Sequence, residues 1–263
     1  MEKTSESNGK QKVRSAEVGT DILKALAELS PATSLSRLAE HVQMPASKVH
    51  RYLQALIASG FAEQNSATNH YGLGREALRV GLAALNSMDV LKVAALPLAE
   101  LRDELNETCF LAVWGNQGAT VVHIEPAVRA VTVVTQLGSV LPLLSSSTGL
   151  VFSAFLPSRE TDELRDLETN VVGHPLADDV TYASLCEQIR ERGLHHVHGL
   201  LMPGVDALSA PVFNAVGQVA AVMTIVGPTS LFHADENGPA AQRLLAATQA
   251  VSWRMGFEPA RAN

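Results

Sequence analysis

Three short blocks in residues 15–60 carry apolar side chains every three or four positions, and each block ends near a proline or glycine. This spacing places the apolar side chains on one face of a helix. The first block stops at Pro31, and the second begins where Ser34 or Ser36 can cap it. The third covers residues 45–59, with its proline in the first turn, where proline is tolerated. The pattern predicts three small helices packed on one another.

Two short segments with strand character follow the third helix. Residues 61–64 and 70–73 flank residues 65–69, whose Asn, Ser and Thr side chains are typical of a turn. Three helices followed by a β-hairpin form the winged type of helix-turn-helix, in which the second helix of the motif enters the major groove of DNA. The helix over residues 45–59 is predicted to be that helix.

The outer face of this helix is polar or basic and has no acidic residue, with Ser47, Lys48, His50 and Arg51 as its candidate DNA-binding residues. Arg and Lys side chains can donate to guanine edges or phosphate oxygens, and Ser and His can donate to phosphate oxygens. Arg37 on the preceding helix and Asn69 and His70 in the hairpin are candidates for contacts with the DNA backbone. The alternative for all of them is a solvated surface.

A different pattern begins after residue 74. Residues 75–88 have helical spacing and are too apolar for a flexible linker, so we expect a stiff linker helix. Asp89 can cap a further helix that ends near residue 106. Short β-branched segments at residues 109–114, 120–125 and 131–135 then predict an antiparallel meander.

Helices are predicted to interrupt the strands at residues 147–156 and 181–192, with Gly193 at the end of the second. A final hairpin pairs residues 206–213 with 219–226, and a last helix covers about residues 236–255. The fold class is therefore α+β. The expected divisions are a disordered tail at 1–14, a winged helix-turn-helix domain at 15–74, the linker helix at 75–88 and a second domain at 89–263.

Charge separates the two halves of the chain. The 263 residues have a net charge of −7, which alone argues against a nucleic-acid partner. Residues 1–75 are nevertheless net +2 and the remainder net −9, and five of the six lysines lie at or before Lys48. A phosphate-facing surface must therefore be N-terminal.

Composition excludes several classes of protein. Hydrophobic residues make up 46% of the chain, enough for a core, yet no apolar run approaches the ~18 residues that cross a bilayer. The polar first fifteen residues lack the apolar segment of a secretory signal, so we expect a cytoplasmic location. Cys109 and Cys186 form neither a disulfide framework nor a zinc-binding spacing and are expected to be reduced thiols.

Together these segments resemble the IclR family of bacterial transcriptional regulators over about residues 15–256. In the N-terminal part the resemblance lies in Leu38-Ala39-Glu40, in the run from Met44 to Leu53, and in Tyr71-Gly72-Leu73-Gly74. In the C-terminal part it lies in fragments that keep the family's order and spacing: Leu141-Pro142-Leu143, Ser146-Ser147-Thr148-Gly149, Arg192-Gly193, Pro203-Gly204-Val205, Ser209-Ala210-Pro211-Val212-Phe213 and Gly227-Pro228. The resemblance implies a GAF-like C-terminal α/β domain with an antiparallel sheet that binds a small effector, and assembly as a homodimer or homotetramer on pseudo-palindromic operator DNA.

The resemblance also implies where an effector binds. Ser147, Thr148 and Gly149 stand where the family presents backbone amides at a helix start to a ligand carboxylate, and a helix N-terminus suits an anion. A plain N-cap is the alternative. The expected effector-binding residues are Trp114, Val133, Leu141, Ser146, Ser147, Thr148, Gly149, Val197, Ala207, Thr224 and Val226.

Departures from the family pattern make this pocket less polar. Val197 and Ala207 replace an acid and a cysteine that many members have ten residues apart, and Leu200 replaces an acid. A hydroxyl residue is retained at Thr224 but replaced at Val226. A larger, partly apolar carboxylate, with aromatic acids as candidates, is therefore favoured over a small keto acid.

His195, His196 and His198 are candidates for a metal site or a pH-sensitive clamp. Strand alternation places His196 and His198 on one face and His195 on the other, and no acidic or cysteine partner is expected nearby in sequence. We interpret them as histidines of a strand or loop, and no metal and no cofactor are predicted.

Two other classes of function are alternatives to a DNA-binding regulator. An enzyme would need a nucleophile and base, such as Cys109 with His123 or Ser146 with a C-terminal histidine, but there is no nucleophile-elbow, phosphate-loop or metal-helix motif. The other class is a ligand-sensing protein-interaction module without specific DNA binding. The basic face of the third helix argues against that class, so a DNA-binding regulator is predicted.

Overall fold

The computed structural model describes residues 14–87, 89–129, 133, 135–170 and 176–258. The chain divides after Ser87 into two compact units. The N-terminal unit contains α1 (Arg14–Glu28), α2 (Leu35–His41), α3 (Ala46–Ala58), β1 (Ala62–Gln64), β2 (Tyr71–Leu73) and α4 (Arg75–Ser87). The C-terminal unit contains α5 (Val90–Leu105), β3 (Thr108–Gly115), β4 (Gly118–Glu125), β5 (Val140–Leu141), α6 (Ser147–Phe155), α7 (Ser158–Thr169), α8 (Asp179–Arg192), β6 (His195–His198), β7 (Val205–Phe213), β8 (Val219–Pro228) and α9 (Pro239–Arg254).

The N-terminal core forms because each of the first three helices has one apolar face. Ile22, Leu38, Val49 and Leu53 are fully buried in one cluster shared by α1, α2 and α3. Of the two serines predicted to cap α2, Ser34 does so, since its side chain accepts a hydrogen bond from the backbone amide of the third residue after it. The predicted helices are therefore confirmed.

The hairpin of β1 and β2 is antiparallel, with Ala62 opposite Leu73 and Gln64 opposite Tyr71. Thr33 and Tyr71 exchange two backbone hydrogen bonds of 2.9 and 2.8 Å, which tie the hairpin to the segment just before α2. The three helices and this hairpin together are the predicted winged helix-turn-helix.

A six-stranded antiparallel sheet in the order β5-β4-β3-β8-β7-β6 forms the centre of the C-terminal unit. Helices α5 and α9 cover one face, where Leu98 and Leu244 pack with Leu208 of β7. Helices α6 and α8 cover the other face, where Phe152 and Ile189 pack with Val222 of β8. The sheet is buried on both faces, which explains why its central strands contain few charged residues.

Three parts of the C-terminal unit differ from the sequence prediction. Helix α7 was missed, because its sequence is almost entirely charged and polar and Thr161 is its buried residue. The last helix starts at Pro239 rather than near residue 236, with proline in its first turn. The predicted strand at 131–135 falls mostly outside the described residues, and Val133 and Thr135, which are described, belong to no strand.

The tail predicted at residues 1–14 lies outside the described residues apart from Arg14, which begins α1. Among the described residues, no helix combines the length and the apolar character needed to cross a membrane.

Candidate functional site

The outer face of α3 presents the predicted polar and basic side chains to solvent. Val49 and Leu53 on the inner face are buried in the core, so helical geometry turns the intervening positions outward. Ser47, His50 and Arg51 are exposed, and Lys48 is partly buried. The sequence therefore produces a solvent-facing surface on the helix that the winged fold uses for DNA.

Among the residues that the structure describes, no carboxylate forms an ion pair with the positive charges on this surface. None of the ion pairs that join described residues of the N-terminal unit involves Arg37, Lys48 or Arg51. The Arg51 guanidinium carbon lies 5.8 Å from the centre of the Tyr52 ring, a contact that leaves its charge intact. The face can therefore attract phosphate.

The hairpin loop exposes the two candidate residues predicted there. Asn69 and His70 are both exposed, and Asn69 has a positive φ of 55°, a conformation that asparagine tolerates. The side chain of Asn65 accepts hydrogen bonds from the amides of Ala67 and Thr68 and thereby shapes the loop. Arg37 is exposed on α2.

A cavity of about 290 Å³ lies in the C-terminal unit, on the α6 side of the sheet. Most of its wall is apolar, and none of the described residues that line it is charged. Nine of the residues predicted to bind an effector line it: Val133, Leu141, Ser146, Ser147, Thr148, Val197, Ala207, Thr224 and Val226.

Two residues predicted for this cavity do not line it. Trp114 packs instead against Phe152, with ring centres 5.4 Å apart, and belongs to the core between the sheet and α6. Gly149 lies against the backbone, where an added Cβ would collide with the carbonyl oxygens of Pro142 and Leu143. Because Gly149 has no side chain, the start of α6 can pack closely against the backbone of Pro142 and Leu143.

Several further lining residues were not predicted: Phe110, Thr135, Gln136, Ser139, Leu201, Met202 and Val205. Phe110 follows from strand alternation, because its neighbours Cys109 and Leu111 face the opposite core. Leu201 and Met202 are 48% and 57% exposed and lie in a turn before β7, for which the sequence carries no periodic signal.

The start of α6 is held by side-chain hydrogen bonds. The Ser146 hydroxyl accepts from the Gly149 amide at 2.9 Å and donates to the Pro142 carbonyl at 2.6 Å, so this side chain is an N-cap. The carboxylate of Glu168 on α7 accepts the amides of the two leucines that precede the cap, at 2.7 and 2.8 Å. The amides of Ser147 and Thr148, the first two of the helix, have no helical carbonyl to bind and can serve an anion.

Three buried hydroxyls from three elements meet at the wall of the cavity. Thr224 Oγ1 lies 2.8 Å from Thr148 Oγ1 and 2.8 Å from Ser209 Oγ, and the other two hydroxyls are 3.4 Å apart. We call Thr148, Ser209 and Thr224 the hydroxyl triangle. Ser209 was not predicted, although it stands two residues after Ala207 and therefore on the same face of β7.

The histidines of β6 are divided between the two faces of the sheet. The carbonyl of His195 accepts from the Ser147 hydroxyl at 2.9 Å, and burial, together with the nearby His196 and Arg192, lowers the pKa of the His195 ring to about 4. The rings of His196 and His198 are 5.1 Å apart, as expected for residues on one face.

The sequence places no acidic partner next to these histidines along the chain, but the fold brings one to His198. His198 Nδ1 lies 2.8 Å from Asp206 Oδ2, because the two residues are directly paired across β6 and β7. Burial raises the pKa of Asp206, but hydrogen bonds from Thr229 and His198 outweigh that effect and hold it below its usual range. Asp206 is therefore ionised near neutral pH.

The thiol considered as a nucleophile is poorly suited to that role. Cys109 is fully buried, and burial raises its pKa to about 12. A thiol with this pKa carries almost no thiolate near neutral pH, and the thiolate is the nucleophilic form.

A winged helix-turn-helix joined to a sheet domain with an internal cavity defines a ligand-sensing class of DNA-binding transcriptional regulator. Family comparison agrees: the IclR helix-turn-helix domain matches residues 15–66, and the C-terminal domain of the bacterial transcriptional regulator IclR matches residues 82–253. The chain belongs to the IclR family of transcriptional regulators.

The chain is also similar to individual regulators and to a solved structure. The chain is 24% identical over 241 residues to the HTH-type transcriptional regulator KdgR of Escherichia coli, covering 90% of each chain. It is 28% identical over 219 residues to the transcriptional repressor AllR of the same species, covering 81% of this chain and 80% of that one. The crystal structure of Pseudomonas aeruginosa HmgR shares 77% sequence identity, with a TM-score of 0.87 over 94% of this chain and 99% of that chain.

Proposed function

We propose that the chain binds pseudo-palindromic operator DNA as a homodimer or homotetramer, and that a small organic carboxylate with an apolar, ring-sized body controls this binding. The exposed, unneutralised basic face of α3 is the observation that carries the DNA-binding part. A symmetric oligomer would place two such helices in successive major grooves.

The cavity supports the choice of ligand. Its volume of about 290 Å³ is near the lower end of the range for small-molecule sites, roughly 300 to 1,000 Å³, which suits a single ring. Because no charged side chain of the described residues lines it, a carboxylate would be recognised by the amides of Ser147 and Thr148 and by neighbouring hydroxyls. Val197, Ala207 and Val226 supply apolar contacts. Aromatic acids are therefore the candidates we favour.

DNA binding is tested by fluorescence anisotropy with DNA from upstream of the protein's own gene, at two salt concentrations. We expect specific, salt-sensitive binding that Arg51→Ala weakens by about 1 to 3 kcal/mol. Lys24→Ala, which removes a cation on α1 that pairs with Asp21, is the control and should bind like wild type. Binding no stronger than to random DNA would favour the ligand-sensing module that acts through protein contacts.

The ligand is tested by calorimetric titration with a panel of aromatic acids, beside glyoxylate and pyruvate. We expect at least one aromatic acid to bind more tightly than both keto acids. Val197→Asp adds a negative charge to the cavity wall and should abolish this binding, whereas Val216→Asp, in an exposed turn, should not. Tighter binding of a keto acid than of every aromatic acid would contradict the proposed ligand class.

A further inference from the structure

A second polar cluster lies on the opposite face of the sheet from the cavity. Asp206 and His198 pair across β7 and β6, and strand alternation turns their side chains away from the cavity that Ala207 and Val197 line. His233 reaches the same place from the segment between β8 and α9. The cluster thus joins three separate parts of the C-terminal unit.

The carboxylate at its centre is fixed in position. The Asp206 side chain is 0% exposed, and its Oδ1 accepts the Thr229 hydroxyl at 2.7 Å. Its Oδ2 lies 2.8 Å from His198 Nδ1 and 3.9 Å from His233 Nδ1. One carboxylate oxygen therefore faces ring nitrogens of two histidines, while the other oxygen is held by a hydroxyl.

We propose that His198, Asp206 and His233 bind one divalent transition-metal ion of the Zn²⁺ type. Their ligand atoms lie within 4.8 Å of one another. In a tetrahedral zinc site with bonds of about 2.0 to 2.2 Å, ligand atoms are roughly 3.4 Å apart. This spacing lies between the distances from Asp206 Oδ2 to His198 Nδ1, 2.8 Å, and to His233 Nδ1, 3.9 Å. Two imidazoles and a carboxylate suit Zn²⁺, and Co²⁺ and Ni²⁺ accept the same ligands.

Solvent access and the hydrogen bond from Thr229 both favour this site. The side chains of His198 and His233 are 44% and 77% exposed, so both rings have room to turn their nitrogens toward one ion. Water can then fill the remaining coordination position. The hydrogen bond from Thr229 to the other carboxylate oxygen is the kind of support that orients metal ligands.

A bound ion would fasten the edge strand β6 and the segment leading to α9 to β7, the strand next to that edge. Strand pairing already joins β6 to β7, and the Thr229 hydroxyl already binds Asp206, so the ion would add a further cross-link among these three parts. Because His198 and Asp206 directly adjoin the cavity residues Val197 and Ala207, the same ion would stiffen one wall of the cavity.

Zinc titration of the untagged full-length protein, after treatment with a chelator, tests this proposal. Calorimetry with ZnCl₂ should show one ion per chain, and Co²⁺ should give the visible absorption of a low-coordinate site. His233→Ala should weaken Zn²⁺ binding at least tenfold, and since this side chain is 77% exposed the variant should fold normally. Zn²⁺ should raise the unfolding temperature of wild type more than that of His233→Ala.

His123→Ala is the matched control, because His123 also contacts a carboxylate, Glu125, at 3.0 Å but lies outside the cluster. This variant should bind Zn²⁺ like wild type. The proposal is overturned if wild type shows no saturable Zn²⁺ binding. It is equally overturned if His198→Ala and His233→Ala both bind as wild type does, or if His123→Ala loses the ion.

Discussion

Acidification from pH 7 to pH 5 should destabilise the C-terminal unit through one half-buried histidine, His195. Burial, reinforced by the nearby charges of His196 and Arg192, lowers the pKa of His195 from 6.5 to about 4. Between these two values the unfolded chain binds a proton that the folded chain excludes. The contribution of neutral His195 to stability is therefore nearly complete above pH 7 and is lost as the pH falls through 6.5 toward 4.

The size of the effect follows from proton linkage. With pKa values of 6.5 in the unfolded chain and about 4 in the folded one, the stability lost at pH 5 is roughly 2 kcal/mol. At pH 7 the loss is about 0.2 kcal/mol, and below pH 4 it approaches roughly 3.4 kcal/mol. Against a typical total of about 5 to 15 kcal/mol, a loss of 2 kcal/mol is easily measured.

Urea unfolding followed by tryptophan fluorescence measures this loss, because both tryptophans, Trp114 and Trp253, lie in the C-terminal unit. His195→Gln keeps a polar side chain of similar length but has no titratable group. Between pH 7 and pH 5, wild type should lose about 2 kcal/mol more than this variant at equal protein concentration. His50→Gln, at an exposed position of α3, should lose as much as wild type.

Equal losses in wild type and His195→Gln would refute this reasoning. A loss confined to pH values below 4 would also refute it and would indicate carboxylates instead. Asp206 is such a carboxylate, because its pKa lies below the usual 3.8 and the stability from its ionised form is lost only as the pH falls below that value.

Three further changes test other parts of the structure. Gly149→Ala should destabilise the C-terminal unit by about 2 kcal/mol in urea unfolding, because the new Cβ would collide with the carbonyls of Pro142 and Leu143. This loss is expected although alanine favours helices more than glycine does. A gain in stability would contradict this packing. Ser34→Ala should cost about 1 kcal/mol through loss of the α2 cap, measured by hydrogen exchange of the α2 amides, and unchanged protection would show that the cap is unimportant. Lys48→Ala should reduce the slope of log K against log salt for DNA binding by about 1, and an unchanged slope would remove this lysine from the phosphate contacts.

The N-terminal unit could be predicted because its signals are local. The apolar positions of α3, the cap at Ser34 and the Asn-rich loop at Asn65 each act within a few residues, and the structure reproduces each of them. The long-range contacts of the C-terminal unit leave no such pattern in the local sequence. Helix α7 is tied to the rest of the unit through Glu168, whose carboxylate accepts amides 24 and 25 residues away, while the helix's own sequence is almost uniformly polar.

The cavity residues were predicted from the resemblance to a family, and the residues that this resemblance missed depend on contacts between distant parts of the chain. Thr148 and Thr224 were identified singly, but Thr148 meets Ser209 and Thr224 across 61 and 76 positions of the chain. The cluster on the opposite face depends in the same way on His233, which is distant in sequence from His198. Such groupings are set by the order of strands in the sheet, which periodicity does not specify.

The hydroxyl triangle gives the cavity a polar group that can either donate a hydrogen bond to a ligand or accept one from it. Each hydroxyl has one proton to donate, and Thr224 Oγ1 makes both short contacts, at 2.8 Å each. If protons run from Ser209 through Thr224 to Thr148, the Thr148 proton is left for a ligand acceptor. If the order is reversed, Thr148 donates inward and offers the ligand only lone pairs. A carbonyl and a hydroxyl on the ligand can therefore be accommodated at the same point by rotating three O–H bonds, without moving any heavy atom.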